Sequence, residues 1–513
     1  MHLERVENVV LHALSRHSSA VIRQGSIHLP LSQVSIRVAA QSKKLEQIGI
    51  RSGERIVILE KDGLRAIVNM LALWNIGSIV VPLATELPLE MILSACTRCN
   101  VQGLLIHEQL WERFRQLPYG TAFPISAFEC ERGTLLFLRL QAEQPPPDNV
   151  DIAVLATTGG SSGSWQAAQL THANLLFCLR AISNYLGLTK SDVLCVPRPL
   201  IHISAIIDLL VGLCAGANVV LMNTNNALFL PCFIEHYQAT AISVVPTVCR
   251  MLLRHKLATV PKTLSSLRSL TLLGGPLSTF EIQQLLRIFP ALNFYHAYGL
   301  TEASPRVSCL FPTEAWEKIG SVGKPLPEVH VKIVDVTGRE AMPGKAGEIT
   351  VKGPNVMRGY AGGISGRNTR LIGDTLYTGD LGYLDAEGYL YIRGRADSVI
   401  NRGGEKICPE EIEHVIYQHP AVADVLVIGV PDLVFGEEIA CFVVQKAGAT
   451  LTQDEIRQWC INRLSLGQFP RIISFRDSLP KTPAGKIIRQ LPSERSSFEL
   501  SAPPGVFGDA GES

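Results

Sequence analysis

The chain has 513 residues, of which 47% are hydrophobic and 18% charged. That length exceeds one ordinary core, so at least two domains are expected. A formal net charge of +1 gives no electrostatic basis for nucleic acid or an anionic membrane as the main partner.

The N-terminus carries Glu4 and Glu7 and no continuous apolar run, so it does not read as a secretory signal. Residues 55–59 predict a strand, 64–74 a helix and 78–82 a second strand. The apolar stretch 66–83 is broken by Asn69, Asn75 and Gly77, so no membrane span is expected there. The twelve cysteines include one Cys-x-x-Cys, Cys96 and Cys99. Zinc sites usually need two such pairs or added histidines, so reduced structural thiols and a cytoplasmic location are expected. The proline-rich residues 144–148 form a stiff connector into a strand at 151–156, a Gly/Ser loop at 157–163 and a helix around 172–179. A second long apolar stretch, 200–222, is interrupted by His202, Asp208, Gly212, Gly216 and Asn218. It reads as a buried helix, a glycine turn and a strand at 217–222.

Further strands are expected at 241–245, 270–273 and 292–296. Near-continuous apolar strands alternating with helices predict mostly parallel sheets. From about residue 320 short β segments take over, at 329–334, 347–351 and 389–392, and predict a β-rich subdomain. After Arg395 come a helix at 409–418, strands at 425–429 and 440–444, and a helix at 454–462. The fold class is therefore α/β: a large N-terminal domain (1–395) with mostly parallel sheets and a β-rich subdomain, then a small mobile α+β domain (396–492). Residues 493–513, rich in Ser, Pro, Gly and Glu, read as a disordered tail.

Five segments carry chemistry-bearing residues in a fixed order. They are Thr157-Thr158-Gly159-Gly160-Ser161-Ser162-Gly163, then Tyr298-Gly299-Leu300-Thr301-Glu302, Tyr377-Thr378-Gly379-Asp380, Gly394-Arg395-Ala396-Asp397 and Pro480-Lys481-Thr482-Pro483-Ala484-Gly485-Lys486. Glycines and small hydroxyls in the first can turn backbone N–H groups and donors toward a phosphate. In this order the set resembles the adenylate-forming superfamily of acyl-CoA synthetases, amino-acid adenylation domains and luciferases, over roughly residues 30–490, and most resembles acyl- or aryl-CoA ligases.

The resemblance implies ATP, Mg²⁺ and CoA, or a carrier protein's phosphopantetheine, as cofactors, and a small carboxylic acid as substrate. It assigns ATP and AMP to the Gly/Ser loop, to Gly274, Gly275 and Pro276, and to Tyr298 and Gly299, with Asp380 and Arg395 on the ribose. Thr301 would contact the α-phosphate and Glu302 would hold the metal, as a hard cation requires. The same two residues also suit the start of a helix. Lys486 would be the catalytic lysine, offsetting repulsion between carboxylate and phosphate, and Asp397 the hinge. Gly403, Gly404 and Lys406 match the loop lining the pantetheine tunnel, and also a turn before the helix at Pro409.

His202, Ile203, Val248 and Ala303 fall in the acyl pocket, with His202 also a candidate for catalysis or for a satisfied core position. Amino-acid adenylation domains place an aspartate for the α-ammonium where this chain has Ile203, so an aryl or aliphatic acid is expected instead. One position departs from the pattern. Gln166 stands where the family's phosphate-loop lysine is usual, which predicts weaker ATP or pyrophosphate handling. Three readings follow: acid plus ATP to acyl-AMP and then to acyl-CoA; the same first step with loading of a carrier protein; or a nucleotide- or acyl-binding protein without turnover.

Overall fold

The computed structural model describes residues 4–114, 125–130, 133–140, 151–158, 166–222, 229–258, 264–275, 277–363, 369–402, 405–461, 463–481, 487 and 489. The chain divides into two compact units, residues 1–397 and 398–513.

The larger unit has a mixed seven-stranded sheet with a parallel centre and antiparallel edges, a mostly parallel nine-stranded sheet and one antiparallel sheet, so the expectation of mostly parallel sheets holds for the second and only for the middle of the first. In the first, seven strands run in the order 125–130, 133–139, 103–107, 55–59, 79–82, 152–158 and 166–171. The strand Arg55–Leu59 is buried throughout and pairs in parallel with both Ile79–Pro82 and Gly103–His107. A strand covered on both faces reads as a near-continuous apolar run, here Ile56 to Leu59, with the buried Arg55 at its start satisfied by donating to the Cys99 carbonyl. The helix Gly63–Ile76 crosses between two of these strands; Asp62 caps its start by accepting from Leu64 and Arg65 N–H. Gly77 ends it at φ 88°, a left-handed position that suits glycine.

The second sheet has nine strands, with Ser269–Leu272 and Asn293–Tyr298 parallel near its middle. The apolar stretch 200–222 becomes the helix Ile203–Ala215, a left-handed turn at Gly216 and the strand Asn218–Leu221, as expected. Among the described residues no helix is long and apolar enough to cross a membrane. The third sheet is the expected β-rich subdomain, five antiparallel strands that include Gly347–Lys352, Thr375–Leu384 and Leu390–Arg395.

Two features go beyond what the sequence led us to expect. The helix expected after the Gly/Ser loop is present, but not immediately after it. The strand Gln166–Thr171 intervenes and pairs antiparallel with Ile152–Thr158, so the loop closes a hairpin at the sheet edge. Its helix, His172–Leu186, starts only afterwards, with Thr171 and Asn174 forming a capping box. The first fifty residues, for which no elements were predicted, form two helices, Val6–Arg16 and Leu31–Gln47, flanking the short hairpin Val21–Gln24 and Ile27–Pro30. The hairpin joins the edge of the nine-stranded sheet.

The smaller unit is a five-stranded sheet dominated by the long hairpin Val422–Asp432 and Gly436–Gln445, with the helices Pro409–Tyr417 and Gln453–Cys460. Pro409 sits in the first helical turn, where a missing N–H costs nothing. Its core includes Ile412, Ile416, Val427, Ile439, Cys441 and Ile456. The described residues of 493–513 are none, so the expected tail lies outside them.

Candidate active site

Within the larger unit, strand ends and the loops that follow them meet at one cleft of about 160 Å³. This is where ligands sit in open α/β sheets, outside the carboxyl ends of the strands. Its wall takes Ala156 and Thr157 from the end of one strand, His202 to Ser204 from a helix start, Leu273 and Gly274 from a turn, and Gly299 to Thr301 beyond another strand.

The hairpin strands set Thr157 opposite Ala167 and Thr158 opposite Gln166. Gly159, Gly160, Ser161, Ser162 and Gly163 lie outside the described residues, as does Pro276. Gly274 has φ 80°, and a Cβ on Gly275 would meet Pro246 Cγ at 3.3 Å. Gly299 is closer still: a Cβ there would lie 1.9 Å from the carbonyl oxygen of Pro305.

Tyr298 ends its strand, and its hydroxyl donates to Asp380 Oδ2 at 2.6 Å. Arg395 Nη1 donates to the other oxygen, Oδ1, at 2.9 Å. Asp380 and Arg395 are directly opposite in the antiparallel pair Thr375–Leu384 and Leu390–Arg395, so one register fixes both. Burial raises the Tyr298 pKa well above the ordinary phenol, and Asp380 adds to that, so the hydroxyl stays protonated and donates. Burial opposes the Arg395 charge, but Asp380 and Asp397 outweigh it and raise its pKa.

Thr301 and Glu302 lie in a single 3₁₀ turn, Thr301–Ala303. Glu302 is 7% exposed and Oε1 accepts from the Tyr360 hydroxyl at 2.8 Å. Burial raises its pKa, while the hydrogen bond from Tyr360 pulls it down. Tyr360 follows a segment knitted to the edge hairpin: Gln169 N–H donates to Gly359 O, Arg358 N–H to Gln169 O, and Gln169 Nε2 to Tyr360 O. No group of three or more His, Cys, Asp or Glu converges among the described residues. A lone buried carboxylate fits Mg²⁺ arriving with a nucleotide, since that ion keeps phosphate and water oxygens and takes few protein ligands.

His202 and Ile203 line the cleft. Burial, then the neighbouring Arg198 charge, lowers the His202 pKa to about 4, so the ring is neutral at pH 7. Val248 instead packs in a separate cluster with Leu252, Leu270 and Leu285, and Ala303 is fully buried in the main core. Neither is among the residues lining the cleft.

Most of the remaining candidates fall in the smaller unit. Gly403, Gly404 and Lys486 lie outside the described residues. Lys406 is in the short strand Glu405–Ile407, opposite Asn401. Lys481 and Ile487, on either side of residues 482–486, face each other in an antiparallel bridge. Arg489 forks onto Glu413 at 2.9 and 2.8 Å and reaches Glu410 at 3.0 Å. Asp397 ends the larger unit and accepts from Arg395 Nε at 3.4 Å. Cys96 and Cys99 are both buried and free, and burial lifts their thiols to about 12 and about 11.

Sequence reasoning missed Tyr360, Arg198 and Arg306, and used Asp208 only to argue against a membrane span. A lone aspartate within the apolar run Ile203–Leu213 was a usable signal, since a buried carboxylate calls for a partner.

A family model described as AMP-binding enzyme matches residues 13–361, and one for the AMP-binding enzyme C-terminal domain matches 411–486. The chain belongs to the AMP-binding enzyme family. It is 31% identical to a feruloyl-CoA synthase of Amycolatopsis sp over 93% of this chain and 95% of that one. It is 30% identical to the 2-succinylbenzoate–CoA ligase of Bacillus licheniformis, covering 91% and 95% of the two chains. Among solved structures, the o-succinylbenzoate CoA synthetase of Bacillus subtilis with its acyl-adenylate intermediate aligns at TM-score 0.79 and 25% identity, covering 95% of this chain and 98% of that one.

Proposed function

We propose that this family member is an acid–thiol ligase that joins a carboxylic acid to CoA in two steps, using ATP and Mg²⁺. In the first, a carboxylate oxygen attacks the α-phosphorus of ATP; the acyl–phosphate bond forms and pyrophosphate leaves. In the second, the CoA thiolate attacks the acyl carbon and AMP leaves. The observation that carries the reading is the Tyr298–Asp380–Arg395 arrangement, in the unit whose cleft is lined by Thr157, Gly274 and Thr301.

Asp380 accepts the ribose hydroxyls while Arg395 and Tyr298 hold its carboxylate still. Tyr298 offers its ring to adenine, and Thr157, Thr158 and Thr301 supply donors to phosphate. Glu302 would hold Mg²⁺, which would supply neutralisation of the phosphate charge. Lys486 is assigned the role of offsetting the repulsion between carboxylate and α-phosphate in the first step, and Asp397 that of the hinge for the change to the second. Gly403, Gly404 and Lys406 serve the CoA arm. His202, neutral at pH 7, orients the acyl end without repelling or attracting charge. Aryl or aliphatic acids are favoured, because Ile203 stands where an α-ammonium would need a carboxylate. All eleven cysteines described as free fit a reducing, cytoplasmic compartment.

Gln166 favours one competing reading, a nucleotide-binding protein without turnover. Acid-dependent ATP–pyrophosphate exchange decides between them, run over aryl and aliphatic acids with Lys486→Ala alongside. Exchange that the variant loses is the expected result. ATP binding without exchange for any acid overturns the ligase assignment.

A further inference from the structure

Behind the cleft lies a group of charges that adenylation does not use. Arg198 follows the strand Val193–Val196, Asp208 lies in the helix Ile203–Ala215, and Arg306 follows the left-handed Ser304. Arg198 donates to Asp208 Oδ2 and to Ser204 Oγ, and Ser204 lines the cleft. Arg306 also lines the cleft. Its Nη2 is 3.8 Å from Asp208 Oδ1 and its Nε donates to the Tyr185 hydroxyl at 3.2 Å. Asn355 fixes the Arg306 backbone by donating to its carbonyl at 2.8 Å.

The charge does not balance. Side-chain exposure is 13% for Arg198, 2% for Arg306 and 3% for Asp208, so all three are largely out of water. Two guanidinium groups face one carboxylate. The other titratable groups nearby add no anion: burial raises the Tyr185 phenol and the Cys309 thiol, so both stay protonated, and His202 is neutral at pH 7. The network is also incomplete in its hydrogen bonds. Arg198 Nε and Asp208 Oδ1 are buried with no hydrogen-bond partner among the described residues. A buried cation without a counter-charge is costly, and an anion brought in by the substrate offsets that cost.

We infer that the acid taken by this cleft is dicarboxylic, with Arg306 at the cleft wall holding the carboxylate that does not react and Arg198, behind Ser204, occupying Asp208 so that Arg306 is left short of a counter-charge. This rests on the ligase reading above. Apolar wall residues such as Ile201, Ile203, Leu273 and Leu300 accommodate the spacer between the two carboxylates. Asp208 sets the strength of the site by cancelling one of the two positive charges, so the pocket binds a single extra anion.

The test uses the full chain and matched acids: adipate against hexanoate, and terephthalate against benzoate. ATP–pyrophosphate exchange gives kcat/KM, and calorimetry gives direct binding of each acid. The diacid should be preferred at least tenfold. Arg306→Gln should cost the diacid at least tenfold more than the monoacid, and Arg306→Lys should restore part of the difference. Asp208→Asn, with one charge fewer against the arginines, should shift selectivity the other way, toward the diacid. Equal use of both acids overturns the inference, as does an Arg306→Gln loss that is the same for both, which marks a purely structural triad. If no acid supports exchange, the ligase reading fails, and calorimetry still decides: diacid binding weakened by Arg306→Gln supports the second-carboxylate site, and its absence overturns it.

Discussion

Tyr298 and Asp380 are joined by a 2.6 Å hydrogen bond between two different sheets of the larger unit. The tyrosine comes from the end of a strand in the nine-stranded sheet, and the aspartate from the antiparallel subdomain. The bond therefore registers the two layers and aims the carboxylate at the same time. Tyr298→Phe should leave Asp380 with Arg395 as its remaining partner here. A hydrogen bond to a charged group contributes about 1.5–3 kcal/mol, so AMP affinity should fall roughly tenfold or more. Asp380→Ala should abolish measurable AMP binding. Calorimetric titration with AMP checks both; a Tyr298→Phe variant with wild-type affinity would show that the bond is only structural.

Gln166 opens a strand at the sheet edge, opposite Thr158. It can donate a hydrogen bond to phosphate but supplies no charge. Gln166→Lys should raise ATP affinity or the exchange rate about tenfold, because a charge-assisted contact is roughly twice as strong as a neutral one. Unchanged kinetics would mean that the cation is already supplied elsewhere.

Gly299 admits no side chain. A Cβ would sit 1.9 Å from Pro305 O and 2.9 Å from Arg306 N, both main-chain atoms that cannot rotate away. Gly299→Ala should displace the turn that carries Thr301 and Glu302 and reduce exchange at least a hundredfold. Circular dichroism should stay near wild type, since the strand Asn293–Tyr298 ends before the clash. Retained activity in this variant would contradict the placement of the turn.

Three histidines of the larger unit are held neutral by burial: His172 at about 3, His202 at about 4 and His296 at about 4. An unfolded histidine titrates near 6.5, so between pH 6.5 and 4 the unfolded chain binds protons that the folded one refuses. Stability from these groups is present above pH 6.5 and lost as pH falls toward 4. At ~1.4 kcal/mol per pH unit for each group, His172 alone loses of the order of 3 kcal/mol by pH 4. Urea unfolding at pH 7, 5.5 and 4.5 should follow this slope. His172→Gln, whose amide oxygen can still accept from Val6 N–H as Nδ1 does, should flatten it. A slope unchanged by the variant would assign the acid sensitivity to other groups.

What the sequence made legible follows from what its patterns measure. The run 55–82 was readable as strand, helix and strand because burial on both faces leaves only apolar residues, and Gly77 marks the stop. The stretch 200–222 was readable because Gly216 breaks it. The strand Gln166–Thr171 was not, since Gln-Ala-Ala-Gln-Leu-Thr has little intrinsic strand preference. Pairing with Ile152–Thr158 and the bridge from Ala168 to Tyr360 decide it, and both are tertiary. The site was legible wherever its residues sit in contiguous motifs, as with Tyr298 to Glu302. Arg198, Asp208 and Arg306 lie up to about a hundred positions apart, and no periodicity joins them; only the fold brings them into one buried cluster.

The Gln169 amide, the Tyr360 backbone and the Glu302 carboxylate form a short mechanical train. Three hydrogen bonds tie Gln169 to residues 358–360, and the Tyr360 hydroxyl then grips Glu302. The edge hairpin and the Glu302 carboxylate are thus mechanically coupled. Any displacement of the hairpin would carry the tyrosine with it and re-aim the carboxylate. A change in the edge strand of the sheet is therefore transmitted to a buried charge outside that sheet.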